Sequence, residues 1–159
     1  MILIYILLLI LILINIIPYI IKYNKKYNTS FTFYGSTNKY ILTKNELSFF
    51  YKLKTITDKY DLYIFPKVRL ADIINTYNYS DFNKIKSKHI DFTICNKYCS
   101  PILFIELDDN SHYRIKRMEN DAKKDYIMSN AKANLIRIKV EEVNYKLKEI
   151  ETILVEKIK

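Results

Sequence analysis

The sequence predicts an α/β domain of the α+β-like kind, with helices flanking a four-stranded mixed sheet behind an N-terminal transmembrane helix. Three observations carry that expectation. The first 21 residues hold no charged side chain, four later runs alternate or stay apolar over strand lengths, and three longer segments repeat apolar residues at spacings of three and four. After the apolar start the order is helix, strand, strand, strand, helix, strand, helix. A chain of 159 residues suits one ordinary domain with an appendage. The expected division is an anchor over 1–22, a tether over 23–42 and the domain over 43–159. A hydrophobic fraction of 50% with 27% charged residues argues for a folded chain. A single glycine excludes a glycine-rich phosphate loop and any collagen-like architecture.

The uncharged run over 1–21 is long enough to cross a bilayer at about 1.5 Å per residue. No Lys or Arg precedes it and no small-residue cleavage site follows it, which favours a retained anchor over a signal peptide. Lys22, Lys25 and Lys26 follow at once. By the positive-inside rule they place the rest of the chain in the cytoplasm. The expected location is therefore the inner, cytoplasmic membrane, single-pass, with the C-terminal domain in the cytosol.

Thr43-Lys44-Asn45-Glu46 is a capping-box pattern, so a helix is expected over about 44–57, with Leu47, Phe50 and Leu53 or Lys54 on one side. Residues 62–70 read as a strand in which Pro66 marks an edge or a bend. Residues 71–87 are polar and irregular, with room for one helical turn. His89 to Asn96 alternates as a strand, and the continuous apolar run from Pro101 to Asp108 reads as a central strand. A helix over 113–132 is expected to use Ile115, Met118, Ala122 and Tyr126. Residues 134–140 form another strand. The last helix, over 141–158, aligns Val143, Leu147, Ile150, Leu154 and Ile158, with acids in its first turn and lysines at its end.

The formal net charge is +9, all of it on residues 22–159. Such a domain is attracted to polyanions, either nucleic acid or an anionic membrane surface. DNA is the expected partner besides the membrane, and no organic cofactor is expected. Cys95 and Cys99 are too few for a disulfide scaffold and, as a lone CxxxC, make a poor zinc site. Cys95 reads as a small hydrophobe on a buried strand.

The acidic residues carry the chemistry. Glu106 and Asp108 alternate on one strand and so project together. A hairpin centred near residues 98–99 sets Asp91 opposite about residue 106, a cross-strand distance of roughly 5 Å. Like charges that close and half buried need a proton or a cation. Oxygen ligands of this kind favour Mg2+ or Mn2+, so Asp91, Glu106 and Asp108 form the candidate metal set. Asp109 ends the strand and opens a turn, and His89 reads as strand filler.

LTKNE, HIDFTIC, ILFIELDDNSH, ENDAKKD and NLIRIKV together resemble the bacterial domain-of-unknown-function 2726 family over about residues 42–140. That family in turn resembles the PD-(D/E)XK, restriction-endonuclease-like nucleases, near the very-short-patch repair endonucleases. The resemblance implies a mixed sheet between helices and Mg2+-dependent phosphodiester hydrolysis. By motif, Asp91 matches the first acid and Glu106 the second. The residue two further on is usually Lys and is Asp108 here. An E-x-D-x-x-x-H arrangement also occurs in the repair-endonuclease-like branch, so Asp108 and His112 stand as substitutes.

In that scheme Asp91 and Glu106 are direct ligands, and Asp108 is a third ligand or orients water. His112 has the pKa range of an auxiliary acid–base. Arg114, Lys116 and Arg117 are candidate phosphate contacts, as is Lys124, which otherwise supplies the missing cation or reads simply as a solvated helix charge. Glu46, Asp121 and Arg137 are auxiliary, Glu46 through metal-bound water or simply through its cap. The expectation is a membrane-tethered, metal-dependent nuclease acting on DNA. The alternatives are a catalytically degenerate nucleic-acid-binding module of the same fold, or a basic membrane-surface protein.

Overall fold

The computed structural model describes residues 2–27, 34–108 and 115–158, except for the side chains of 24–27, 115–118 and 120. The chain divides into two compact units, Met1–Asn38 and Lys39–Lys159. The first contains helix α1, Ile2–Tyr27. Its stretch Ile2–Tyr23 has a mean hydropathy of 2.9 with nothing buried, so it is long and apolar enough to cross a membrane, as a signal sequence also would be. The polar Asn15 is satisfied within the helix, its side-chain amide donating to the Leu11 carbonyl at 2.8 Å.

The second unit begins with α2, Lys44–Thr57, and a 3-10 turn at Asp58–Tyr60. Then come β1 (Tyr63–Arg69), α3 (Leu70–Ile73), α4 (Tyr79–Ile85), β2 (His89–Cys95) and β3 (Pro101–Asp108). The chain closes with α5 (Ile115–Asn130), β4 (Leu135–Lys139), a 3-10 turn at Val140–Glu142 and α6 (Val143–Ile158). The sheet order is β1-β2-β3-β4, antiparallel for the first two pairs and parallel for the last. A parallel pair needs a crossover, and α5 supplies it.

Alternation along β3 divides the core. Leu103, Ile105 and Leu107 join Phe49, Leu53 and Ile56 of α2 and Val143, Ile150 and Leu154 of α6. Phe104, between them in sequence, joins Leu70, Ile85 and Met128 from α3, α4 and α5. The four-stranded mixed sheet is therefore covered on both faces, and β3 lies inside it as expected.

The last helix, α6, buries Val143, Ile150 and Leu154, with Leu147 packed against the core, as expected, whereas α2 and α5 differ in part from their expected faces. In α2 the buried apolar residues are Phe49, Leu53 and Ile56, of which Leu53 is the expected one, while Phe50 is half-buried and Leu47 is exposed. In α5, Ala122 and Tyr126 face solvent and Met128 is buried, so the packed side lies further round than the spacing suggested. The segment read as irregular holds two short helices, α3 and α4. Asn78 caps α4 by accepting the Asp81 N–H at 2.9 Å. Cys95 is buried as expected, and burial pushes its thiol up to about 11, which leaves it an inert hydrophobe.

Candidate active site

Strand register builds the site. Phe92 pairs with Ile105, which sets Asp91 opposite Glu106, and Glu106 pairs with Arg137 of β4. On the other side, Lys67 falls between the Pro66–Phe92 and Val68–Ile90 pairs, opposite Asp91. One row across all four strands thus reads Lys67, Asp91, Glu106, Arg137. Glu46 from α2 and Lys124 from α5 reach into it.

The contacts are short. Lys67 Nζ lies 2.6 Å from Glu46 Oε1 and 2.6 Å from Asp91 Oδ1. Asp91 Oδ2 accepts the Leu107 N–H at 3.0 Å. Glu46 Oε2 accepts the Thr43 N–H at 2.8 Å, and Thr43 Oγ1 accepts the Glu46 N–H at 3.3 Å, so the expected capping box is present. Lys124 Nζ bonds Glu106 Oε2 at 2.7 Å. Glu106 Oε1 is buried without a hydrogen-bond partner among the described residues, and the side chain is only 7% exposed. Arg137 gathers a second set: Asp125 at 2.9 Å, Asp108 at 3.3 Å and Asp121 at 3.7 Å.

Burial is the largest influence on Glu106 and raises its pKa. Asp91 raises it further, and Lys124 and Arg137 offset only part of this. Burial also raises Glu46, but the bond from Lys67 and the Thr43 amide outweigh it, so Glu46 sits below the usual carboxylate value. For Lys67, burial lowers the pKa, but Asp91 and Glu46 more than reverse this and hold the amine charged. In these ion pairs the six carboxylates of Glu46, Asp91, Glu106, Asp108, Asp121 and Asp125 share three cations, Lys67, Lys124 and Arg137.

Among the described residues, no three His, Cys, Asp or Glu side chains are grouped closely enough to hold a metal ion. Asp91 and Glu106 face each other, whereas Asp108 is held by Arg137. Lys124 is turned inward onto Glu106, and Glu46 serves both the cap and Lys67. His112 and Arg114 lie outside the described residues, and Lys116 and Arg117 are placed only by the backbone of α5.

A family model described as a protein of unknown function, DUF2726, matches residues 38–158, well over half of the chain. The chain belongs to the DUF2726 family. No curated protein and no solved structure matches it. The match runs past residue 140, where the sequence resemblance ended, so α6 is part of the DUF2726 domain.

Sequence reasoning missed Lys67 in this domain. A lysine after Pro66 on an edge strand reads as a solvated charge, and no glycine announces its left-handed backbone, φ 55°. The available signal was register: Lys67 is as far before the centre of the β1–β2 pairing as Asp91 is after it.

Proposed function

We propose that this DUF2726 protein is a metal-dependent nuclease with a restriction-endonuclease-like domain, tethered to the cytoplasmic membrane by α1 and acting on DNA in the cytosol. The observation that carries the reading is Glu106. A carboxylate this buried, facing Asp91 and with one oxygen unpartnered among the described residues, is relieved by a proton or by a further cation, and we take it to be the cation. The donor set fits one hard divalent ion, because Mg2+ commonly takes one or two carboxylates and keeps several waters. A three-carboxylate cage is not needed. Asp91 and Glu106 would hold the Mg2+ or Mn2+, which supplies Lewis-acid activation of a phosphodiester and an acidified water.

The chain's own residues prepare that site. The Leu107 N–H fixes the rotation of Asp91, and Lys124 fixes that of Glu106. Arg137 keeps Asp108 beside the pair without committing it as a ligand, so Asp108 orients water. His112 protonates the leaving oxygen, and Arg114, Lys116 and Arg117, close after it in sequence, contact phosphate. The acids on β2 and β3 and the parallel β4 reached through α5 support the restriction-endonuclease-like assignment.

A second reading has its own observation. The 2.7 Å Lys124–Glu106 pair is what a structural buried ion pair looks like, which favours a non-catalytic nucleic-acid-binding module of the same fold. The full chain in detergent, incubated with supercoiled plasmid, separates the two. Nicking that needs Mg2+ or Mn2+, stops in EDTA and disappears in Asp91→Asn and Glu106→Gln supports the nuclease. DNA binding without any metal-dependent nicking supports the module.

A further inference from the structure

We propose that Lys67 is the resident cation of this site, a positioning residue whose ammonium holds Asp91 until a divalent ion displaces it. The inference rests on the metal reading above and adds what that ion must replace.

The backbone gives the first indication. Lys67 has φ 55° in the middle of β1, a region that lysine enters only at an energetic cost. The pairs on either side, Pro66 with Phe92 and Val68 with Ile90, keep the same register, so no inserted residue forces the distortion. An edge-strand lysine ordinarily extends into water. This one is two-thirds buried, and its ammonium makes two 2.6 Å ion pairs, to Asp91 and Glu46. Those contacts offset the backbone strain.

Charge and occupancy give the second. Lys67 takes Asp91 Oδ1 and the Leu107 amide takes Oδ2, while Glu106 keeps one buried oxygen unpaired among the described residues. An ion arriving at that oxygen finds its other ligand already engaged. The inner carboxylates Glu46, Asp91 and Glu106 carry three negative charges against the two positive charges of Lys67 and Lys124. Exchanging the ammonium for a divalent ion brings this group to neutrality. It also frees a flexible four-carbon cation at the sheet edge, where it can meet an incoming phosphate.

Mn2+ binding to the full chain in detergent, read from the EPR signal of free Mn2+, tests this. Asparagine tolerates a left-handed backbone and carries no charge, so Lys67→Asn should bind Mn2+ about tenfold more tightly, because a competing charge a few ångströms away is gone. The same variant should nick DNA more slowly, whereas Lys67→Arg should keep near-parental Mn2+ affinity. Tighter metal with slower turnover is a split that a purely structural lysine does not give. Unchanged or weaker Mn2+ binding in Lys67→Asn overturns the proposal while leaving the metal site standing. If that variant does not fold, Lys67→Gly, whose backbone takes the same φ freely, decides by the same criterion. No Mn2+ binding by the parent overturns both readings.

Discussion

Two glutamates of the same site depart from their ordinary pKa in opposite directions, and stability should show it. Glu106 is raised, first by burial and then by Asp91, so its ionised form is worse off folded than unfolded even with Lys124 in place. It favours folding while protonated, and that contribution is lost as pH rises from the ordinary glutamate value of 4.5 through its raised folded value. Glu46 is lowered, so its contribution is present above 4.5 and is lost as pH falls through its depressed value. Near neutral pH without metal, Glu106→Gln should therefore be as stable as the parent or more so, and Glu46→Gln less stable. Both differences should shrink toward acid pH, as read from urea midpoints across the series. Saturating Mn2+ should raise the parent's melting temperature, by mass action worth about 2.7 kcal/mol at one hundred times the dissociation constant. Glu106→Gln should lose most of that rise. A destabilised, metal-indifferent Glu106→Gln would instead mark a structural Lys124–Glu106 pair. Asp91 facing Glu106 was legible because hairpin arithmetic fixes register. Arg137 binding three carboxylates was not, because it depends on where the crossover α5 lies over β4.

The capping box of α2 shows how an element's terminus and the site share residues. Glu46 uses one oxygen on the Thr43 amide and the other on Lys67, so the start of α2 is linked to β1 through a single carboxylate. Thr43→Ala removes the hydroxyl that accepts the Glu46 N–H and should lower stability by about 1 kcal/mol, measured as a shift in the denaturant midpoint. A loss several times larger would mean that the cap also holds Glu46 in place for Lys67. That cap was visible in the sequence because its four residues are local. The four strands were visible too, since alternation and apolar runs reflect burial directly. The pair α3 and α4 was not, because four residues, Leu70–Ile73, and seven, Tyr79–Ile85, are too short to repeat a helical period, and only the Asn78–Asp81 cap hints at α4. The packed side of α5 escaped because it buries Lys124 on Glu106 beside Met128, and a lysine does not read as core.

For the whole molecule, charge and anchor make linked claims. The site is acidic, so the net charge of +9 is carried by basic residues elsewhere on residues 22–159. If that surplus serves DNA, binding should weaken steeply between about 50 and 200 mM salt, because each phosphate contact releases counterions. Equal binding at both concentrations would remove the electrostatic case for DNA, and anionic vesicles tested alongside would reveal a membrane-surface role. With α1 as the proposed anchor, its orientation decides whether DNA is within reach at all. Lys22, Lys25 and Lys26 cluster at the C-terminal end of the apolar helix α1, a basic flank that the positive-inside tendency should hold in the cytoplasm. A cytoplasm-dependent reporter fused after Lys159 should therefore be active, and a periplasm-dependent one silent. The reverse would place Asp91, Glu106 and the basic surface on the side of the membrane away from the chromosome. Cellular DNA would then be ruled out as the substrate, even if the purified chain nicked plasmid, and an extracytoplasmic phosphodiester or polyanion would take its place.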